Sequence, residues 1–223
     1  MTMDDSTVEI GGETMTESQF AAARFPLLNG HAPNLAPDPS TSASAASEHV
    51  RALLAHLGED PTRDGLVETP RRVVKALAEL TSGYQVDIAA LLAVTFDERH
   101  DELVMVRRVP FASLCEHHML PFTGFATIGY VPRNGIVGLS KLARLVDAYA
   151  RRLQVQERLT DQIAIALIEH LDPLAVGVII EAEHQCMALR GIERRASMVT
   201  SCLRGLLRER PDLRQEFLAL AGY

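Results

Sequence analysis

Ser113-Leu-Cys-Glu-His-His-Met-Leu-Pro-Phe-Thr-Gly124, taken with Glu183-His184-Gln185-Cys186 further on, is the part of this 223-residue chain from which the rest is read. Cys115 and His118 stand three positions apart, and Cys186 can bring a second thiol from a distant segment. Two sulfurs and one imidazole make a soft donor set that suits zinc. The sequence offers no convincing fourth ligand. Structural zinc is closed by four protein ligands while catalytic zinc keeps a position for water, so this set reads as an open, reactive site. The alternative is that the thiols are ordinary buried side chains and the histidines satisfied polar groups. Against it, His117 and His184 flank the candidate ligands without being needed as ligands. Adjacent side chains diverge, so with His118 turned to a metal, His117 stays free for proton transfer. In an extended Glu183 to Met187, residues two apart share a face, and His184 and Cys186 are expected to project together.

The net charge of −7 belongs mostly to one end. Residues 1 to 48 hold seven acids and one base, which leaves −1 for everything after them, so the acidity says nothing about what the core binds. Three cysteines, two of them at metal spacing, do not make a disulfide framework, and a reducing cytoplasm is the expected compartment. No basic segment followed by an apolar run opens the chain, and no stretch approaches the ~18 apolar residues that span a bilayer. Neither a membrane nor a nucleic acid is expected as a partner.

Residues 1–46 are rich in Ser, Thr, Ala and Pro and are expected to be disordered, because such a segment buries too little apolar area to offset its ordering entropy. Residues 47–100 read as a helical segment. Val50, Leu53, Leu54 and Leu57 form a first stripe with Ser47 as cap, and Val73, Val74, Leu77 and Leu80 a second, opened by Thr69-Pro70 and stopped at Gly83. Arg71, Arg72 and Lys75 crowd the first turns of that second helix. Cations there oppose the macrodipole unless an anion sits nearby, and Arg72 and Lys75, three apart, could grip one from a single face; a solvated basic face is the alternative.

Residues 101–223 read as the catalytic domain. Leu103 to Val109 and Phe125 to Val131 are expected strands, the latter turning at Asn134-Gly135. Two helices follow in tandem. Ser140 is the expected cap of the first, striped by Leu142, Leu145, Val146 and Tyr149, and the second runs from about Val155 to Leu171 on Leu159, Ile163, Leu167 and Ile168. Lys141 and Arg144 put bases at another helix N-terminus, which with the cap hydroxyl and free amides makes a phosphate cradle without a glycine loop. Ala175 to Glu183 and Ser197 to Leu206 are strands, and Pro211 to Leu220 a closing helix. The order gives an α+β architecture of antiparallel pairs with helices packed on one face.

GEDPTRDGLVETPRRVVKAL, SLCEHHMLPFTG, GLSKLARLVDAYARRLQVQERLTDQI and EAEHQCMALRG, spread over residues 58–191, together resemble the GTP cyclohydrolase I family. The resemblance implies a tunnelling-fold subunit in a homodecamer of two pentameric rings, with active sites between neighbours. It implies zinc on Cys115, His118 and Cys186, and His117 and His184 as acid/base residues, with Ser140 a candidate for later proton transfers. It implies a triphosphate held by Ser140, Lys141, Arg190, Arg72 and Lys75, and guanine read by Gln156 and Glu157. The implied reaction is hydrolytic opening of the guanine imidazole ring of GTP, release of formate and rearrangement to 7,8-dihydroneopterin triphosphate, which begins pterin and tetrahydrofolate synthesis. Two rivals share these features in part: another tunnelling-fold enzyme acting on a pterin or deazapurine, and a catalytically silent zinc-binding homologue. The first is expected to lose the QVQERLT and GLSK blocks or the paired cysteines, and the second a histidine; this chain keeps them all.

Overall fold

The computed structural model describes residues 7–10, 13–16 and 42–223. Strands β1 (Thr7–Ile10) and β2 (Glu13–Thr16) pair antiparallel in a unit of their own, within the segment where no regular structure was expected. The rest of 1–41 lies outside the described residues.

Helix α1 (Ala43–His56) begins before the expected cap. Ser42 caps it, accepting from Ala45 N at 3.1 Å, while Ser47 lies inside the helix with its hydroxyl on Ala43 O. The alanine-rich run ahead of Ser47 propagates a helix readily, so the start moves back to the nearest usable hydroxyl. Leu53 and Leu57 of its stripe are exposed in the single chain. Helix α2 (Thr69–Leu80) takes Glu68 as its cap residue and Thr69 as its first. Arg71 pairs with Glu68 at 2.8 Å, which supplies a local anion to the basic first turn. Leu80 also stays exposed, whereas Val73, Val74 and Leu77 are half-buried. Gly83 does not stop this helix. It sits in a 3₁₀ turn (Ser82–Gln85) where an added Cβ would lie 2.3 Å from Ala148 O, so only glycine lets the two backbones approach.

Short elements that carry no readable period follow: α3 (Ile88–Leu92), capped by Asp87, and β3 (Thr95–Phe96). Then come β4 (Val104–Cys115), β5 (Pro121–Val131), β6 (Ile136–Val137), which pairs with β3, and α4 (Leu139–Ala150). Gly138 is the cap residue of α4, and Ser140, its second residue, makes no capping bond. After β7 (Leu153–Gln154) and α5 (Gln156–Leu171) the chain adds β8 (Ala175–His184), α6 (Gln185–Ala188), β9 (Ser197–Gly205), α7 (Leu206–Glu209) and α8 (Pro211–Ala221). No helix among the described residues is long and apolar enough to cross a membrane.

The main sheet has the order β7-β4-β5-β8-β9, antiparallel except for the short β7–β4 pair. The stripes of α4 and α5 pack on one face: Leu142, Leu145, Val146, Tyr149, Leu159, Ile163 and Leu167 join Val176, Val178 and Ile180 of β8 in one core. Ile168 is the exception, 40% exposed at the outer edge of α5. The long helices thus lie on one face as expected, and the short C-terminal helices add a second, smaller cluster on the other. Residues 175, 177 and 179 of β8 face the other way, where α7 and α8 bring Leu207 and Phe217 against Ala175 and Ile179. At Gly177 an added Cβ would meet the Phe217 ring at 2.6 Å, so the missing side chain is what seats α8. Burial on both faces explains why β8 reads as an unbroken apolar run instead of alternating. This largely antiparallel sheet, with its two long helices on one face, agrees with the tunnelling fold that the resemblance implies.

Candidate metal centre and active site

The Cys-Glu-His-His stretch is the connection of the β4–β5 hairpin. Cys115 ends β4, and its carbonyl accepts from His118 N at 3.3 Å and Met119 N at 2.7 Å, while its own N–H donates to Leu120 O at 2.9 Å. Met119 takes φ +54°, which closes the turn within five residues. Beside it, Phe122 of β5 stands opposite His184 of β8 in the register, so β8 ends at the same edge of the sheet. The segment after His184 is not extended as expected: Gln185–Ala188 turn into a short helix, which carries Cys186 to the hairpin by a helical turn and not by strand alternation.

Cys115, His118 and Cys186 come together, with one ligand atom from each all within 4.8 Å of one another. A tetrahedral zinc with bonds of ~2.0–2.3 Å sets such donor atoms ~3.3–3.8 Å apart, so a small contraction of this group would close it on an ion. Cys115 is buried, Cys186 half-buried and His118 exposed, so the group opens on one side. No other His, Cys, Asp or Glu among the described residues joins the group, and all three cysteines of the chain are free thiols. The donors fit a soft metal with an open position. Burial, and then the neighbouring Cys115 thiol, pushes the Cys186 thiol up, a penalty that a bound cation would reverse.

His117 is not one of the three grouped donors, although it sits against one of them. Its side chain is 64% exposed, with Nε2 4.0 Å from Glu116 and Nδ1 3.8 Å from the Cys115 sulfur. His184 is held tightly: its ring stacks on Phe122 at 4.6 Å with 2° between planes, and Nε2 lies 2.8 Å from Gln156 Oε1. Burial pushes its pKa down, and the Glu157 carboxylate opposes that shift. Gln156 is wholly buried, and its amide nitrogen is taken up by Ile180 O, Met198 O and Thr200 Oγ1. Glu157, next to it in the first turn of α5, is exposed. A bidentate pair from Arg158 to Glu116, at 2.5 and 2.9 Å, ties that turn of α5 to the metal hairpin, and the guanidinium holds the Glu116 carboxyl below the usual carboxylate range.

The expected phosphate residues are less gathered. Arg190 Nη1 is 3.2 Å from His118 Nε2, which puts this arginine at the edge of the metal group. Ser140 and Lys141 stand in the first turn of α4, and Arg72 and Lys75 on the exposed side of α2, where Lys75 lies 3.8 Å from Glu79. Among the described residues, no hydrogen bond or ion pair joins either pair to the metal group. Phe122, Arg158, Thr160 and Thr200 were not singled out from the sequence. Phe122, Arg158 and Thr160 lie inside the quoted motifs, but their partners become visible only once β5–β8 register and the packing of α5 are known.

Comparison with known proteins supplies the family. The family profile described as GTP cyclohydrolase I matches residues 46–222. The chain belongs to the GTP cyclohydrolase I family. Among curated relatives, GTP cyclohydrolase 1 of Synechococcus sp. (strain JA-2-3B'a(2-13)) is 56% identical over 173 residues, covering 77% of this chain and 76% of the relative. That of Synechococcus sp. (strain JA-3-3Ab) is 52% identical over 193 residues, covering 85% and 84%. The Rattus norvegicus protein of the same name is 52% identical over 171 residues, covering 76% and 71%.

Proposed function

We propose that this chain converts GTP to 7,8-dihydroneopterin triphosphate with release of formate, the first step of pterin and tetrahydrofolate synthesis, at the centre formed by Cys115, His118 and Cys186. The observation that carries the reading is the convergence of these three ligand atoms, in a member of this family, beside a histidine that is fixed but not a ligand. Cys115, His118 and Cys186 hold zinc, which two thiolates and an imidazole favour and which brings the pKa of water to about 7 when bound.

Purine C8 is a poor electrophile until N7 is protonated, so ring opening needs an acid beside the nucleophilic water. His184 is that acid, and its stack on Phe122 holds the ring where a purine edge can meet it. His117, exposed and not itself one of the three ligands, serves the later proton transfers together with Ser140. Glu157 reads guanine: one carboxylate accepts from both N1–H and the 2-amino group. Gln156 stands behind it, against His184. The triphosphate is a remote handle whose binding energy positions the base, held by Ser140 and Lys141 at the N-terminus of α4, by Arg190 at the edge of the metal group, and by Arg72 and Lys75.

Arg72 and Lys75 reach the site from a neighbouring copy. The chain works as a homodecamer of two pentamers, a reading supported by the exposure of Leu53, Leu57, Leu139, Leu189 and Ile192 and by the lack, among the described residues, of any hydrogen bond or ion pair from Arg72 or Lys75 to the metal group. Free thiols are in keeping with a reducing cytoplasm. The test is purified protein with GTP and zinc, following formate and the fluorescence of the oxidised pterin. His184→Ala is expected to keep zinc and GTP binding and to lose ring opening by ~10²–10⁴-fold. An unchanged rate in that variant would remove His184 from the mechanism.

A further inference from the structure

The resemblance pairs Gln156 with Glu157 as a reader of guanine, yet every polar atom of the Gln156 side chain is occupied within the chain and the residue is wholly buried. The direction of each bond can be fixed from one end. Ile180 O and Met198 O are backbone carbonyls that only accept, at 3.0 and 2.9 Å, so the amide nitrogen must face them. The hydroxyls agree. Thr160 donates its single hydrogen to Gln156 O at 2.8 Å and must therefore accept from Thr200 at 2.7 Å. Thr200, its own hydrogen spent, can only accept, and at 3.1 Å it shares one of the two Gln156 amide hydrogens with a carbonyl. The amide oxygen is left facing His184 Nε2 at 2.8 Å, and a carbonyl oxygen cannot donate. His184 Nε2 must then carry hydrogen.

We infer that Gln156 is a positioning residue that locks His184 in the tautomer with hydrogen on Nε2, leaving Nδ1 as the nitrogen that exchanges a proton with the substrate. The stack on Phe122 fixes the plane of the ring and the bond to Gln156 fixes its rotation within that plane. When Nδ1–H gives its proton to purine N7, the bonding pair returns to Nδ1 and the Nε2–H bond to Gln156 is untouched. The transfer thus needs no rearrangement behind the ring. Thr160 and Thr200 join α5 to β9, so the orientation of the acid is set by a network rooted in two elements of the core.

This inference rests on the reading of His184 as the proton donor, and the experiment separates the two. Zinc-loaded protein with ¹⁵N-labelled histidine is sedimented for magic-angle-spinning NMR at a pH where the rings are neutral, and His184 is assigned by difference from His184→Asn. The expected spectrum has protonated Nε2 and bare Nδ1; the opposite tautomer overturns the inference, whatever the variants do. In Gln156→Met, zinc content and GTP affinity are expected to hold while single-turnover ring opening falls by ~10²–10⁴-fold, the range set by general acid catalysis and by loss of a histidine tautomer. Gln156→Glu keeps an acceptor for Nε2 and is expected to restore at least ~10-fold of that loss. A Gln156→Met enzyme that binds GTP weakly but turns over normally at saturation would make Gln156 a reader of the base and overturn the proposal. A His184→Asn enzyme that still opens the ring removes the reading beneath it, even with the predicted tautomer in place.

Discussion

Arg158→Met is the perturbation that most directly tests how α5 and the metal hairpin are joined. The guanidinium makes two contacts to Glu116, at 2.5 and 2.9 Å, and the two side chains are 29% and 32% exposed. A charge-assisted hydrogen bond contributes ~1.5–3 kcal/mol, whereas an exposed pair contributes ~0–1. At one-third exposure Glu116 can recruit water once Arg158 is gone, so the expected loss is ~1–2 kcal/mol, below the ~3–5 of a fully buried pair. Glu116→Gln and the double variant complete a cycle, read by denaturant unfolding of the zinc-loaded protein at fixed concentration, with an expected coupling of ~1–2 kcal/mol at pH 7. The pH dependence has a definite sign. The folded Glu116 pKa is depressed, chiefly by the hydrogen bond from Arg158. The stabilisation is therefore fully present above the unfolded carboxylate value of ~4.3 and disappears as pH falls through the lower folded value. A coupling below ~0.5 kcal/mol at pH 7, or one unchanged at acid pH, would refute the claim that this pair holds the two segments together.

Cys115→Ser and Cys186→Ser are each expected to lose zinc and activity, while Cys202→Ser keeps both; full zinc in Cys186→Ser would sink the ligand set. Burial pushes the Cys202 thiol up to about 12, so in metal-stripped folded protein thiol reagents at pH 8 are expected to label Cys186 well before Cys202, which mass spectrometry can read. Glu157→Ala is expected to erase most of a preference for GTP over ATP that reaches roughly 10⁴–10⁵-fold in sites built on paired hydrogen bonds, measured as binding with turnover blocked. Gly177→Ala is expected to cost ~1–3 kcal/mol by driving a methyl into the Phe217 ring, with partial recovery in Gly177→Ala/Phe217→Leu; an unaltered unfolding midpoint would mean that α8 is loosely seated.

The convergence of Cys115, His118 and Cys186 was legible because metal chemistry restricts residue type and spacing together, and the long helices because their stripes persist over several turns. Legibility failed where the deciding partner is remote in sequence. Gln156 shows why: its place depends on Met198 and Thr200, which reach it only through the pairing of β9 with β8. Ser140 shows a second reason. A hydroxyl near a helix start is a good cap in general, yet Gly138 takes the extended cap conformation here, and nothing local distinguishes the two. The stripe of α1 is real as a stripe, but Leu53 and Leu57 find no cover within the single chain. The i, i+2 argument for His184 and Cys186 reached the right neighbours by the wrong geometry, since one turn of helix delivers Cys186.

Cys115 and His118 sit on the β4–β5 hairpin, while Cys186 arrives only after α4, α5 and β8 have been laid down. During synthesis the hairpin can form early and offer two donors, but the third becomes available only when β8 has zipped onto β5. A slip of β8 by one residue would carry Cys186 ~3.3 Å along the sheet and invert every side chain above it, far outside the ~0.2 Å within which metal–ligand distances are held. Capture of an ion by this group would thus be a late event in the life of the chain. Retention of an ion there would be a chemical record that the sheet has closed in the correct register, and mispaired molecules would be marked by being empty.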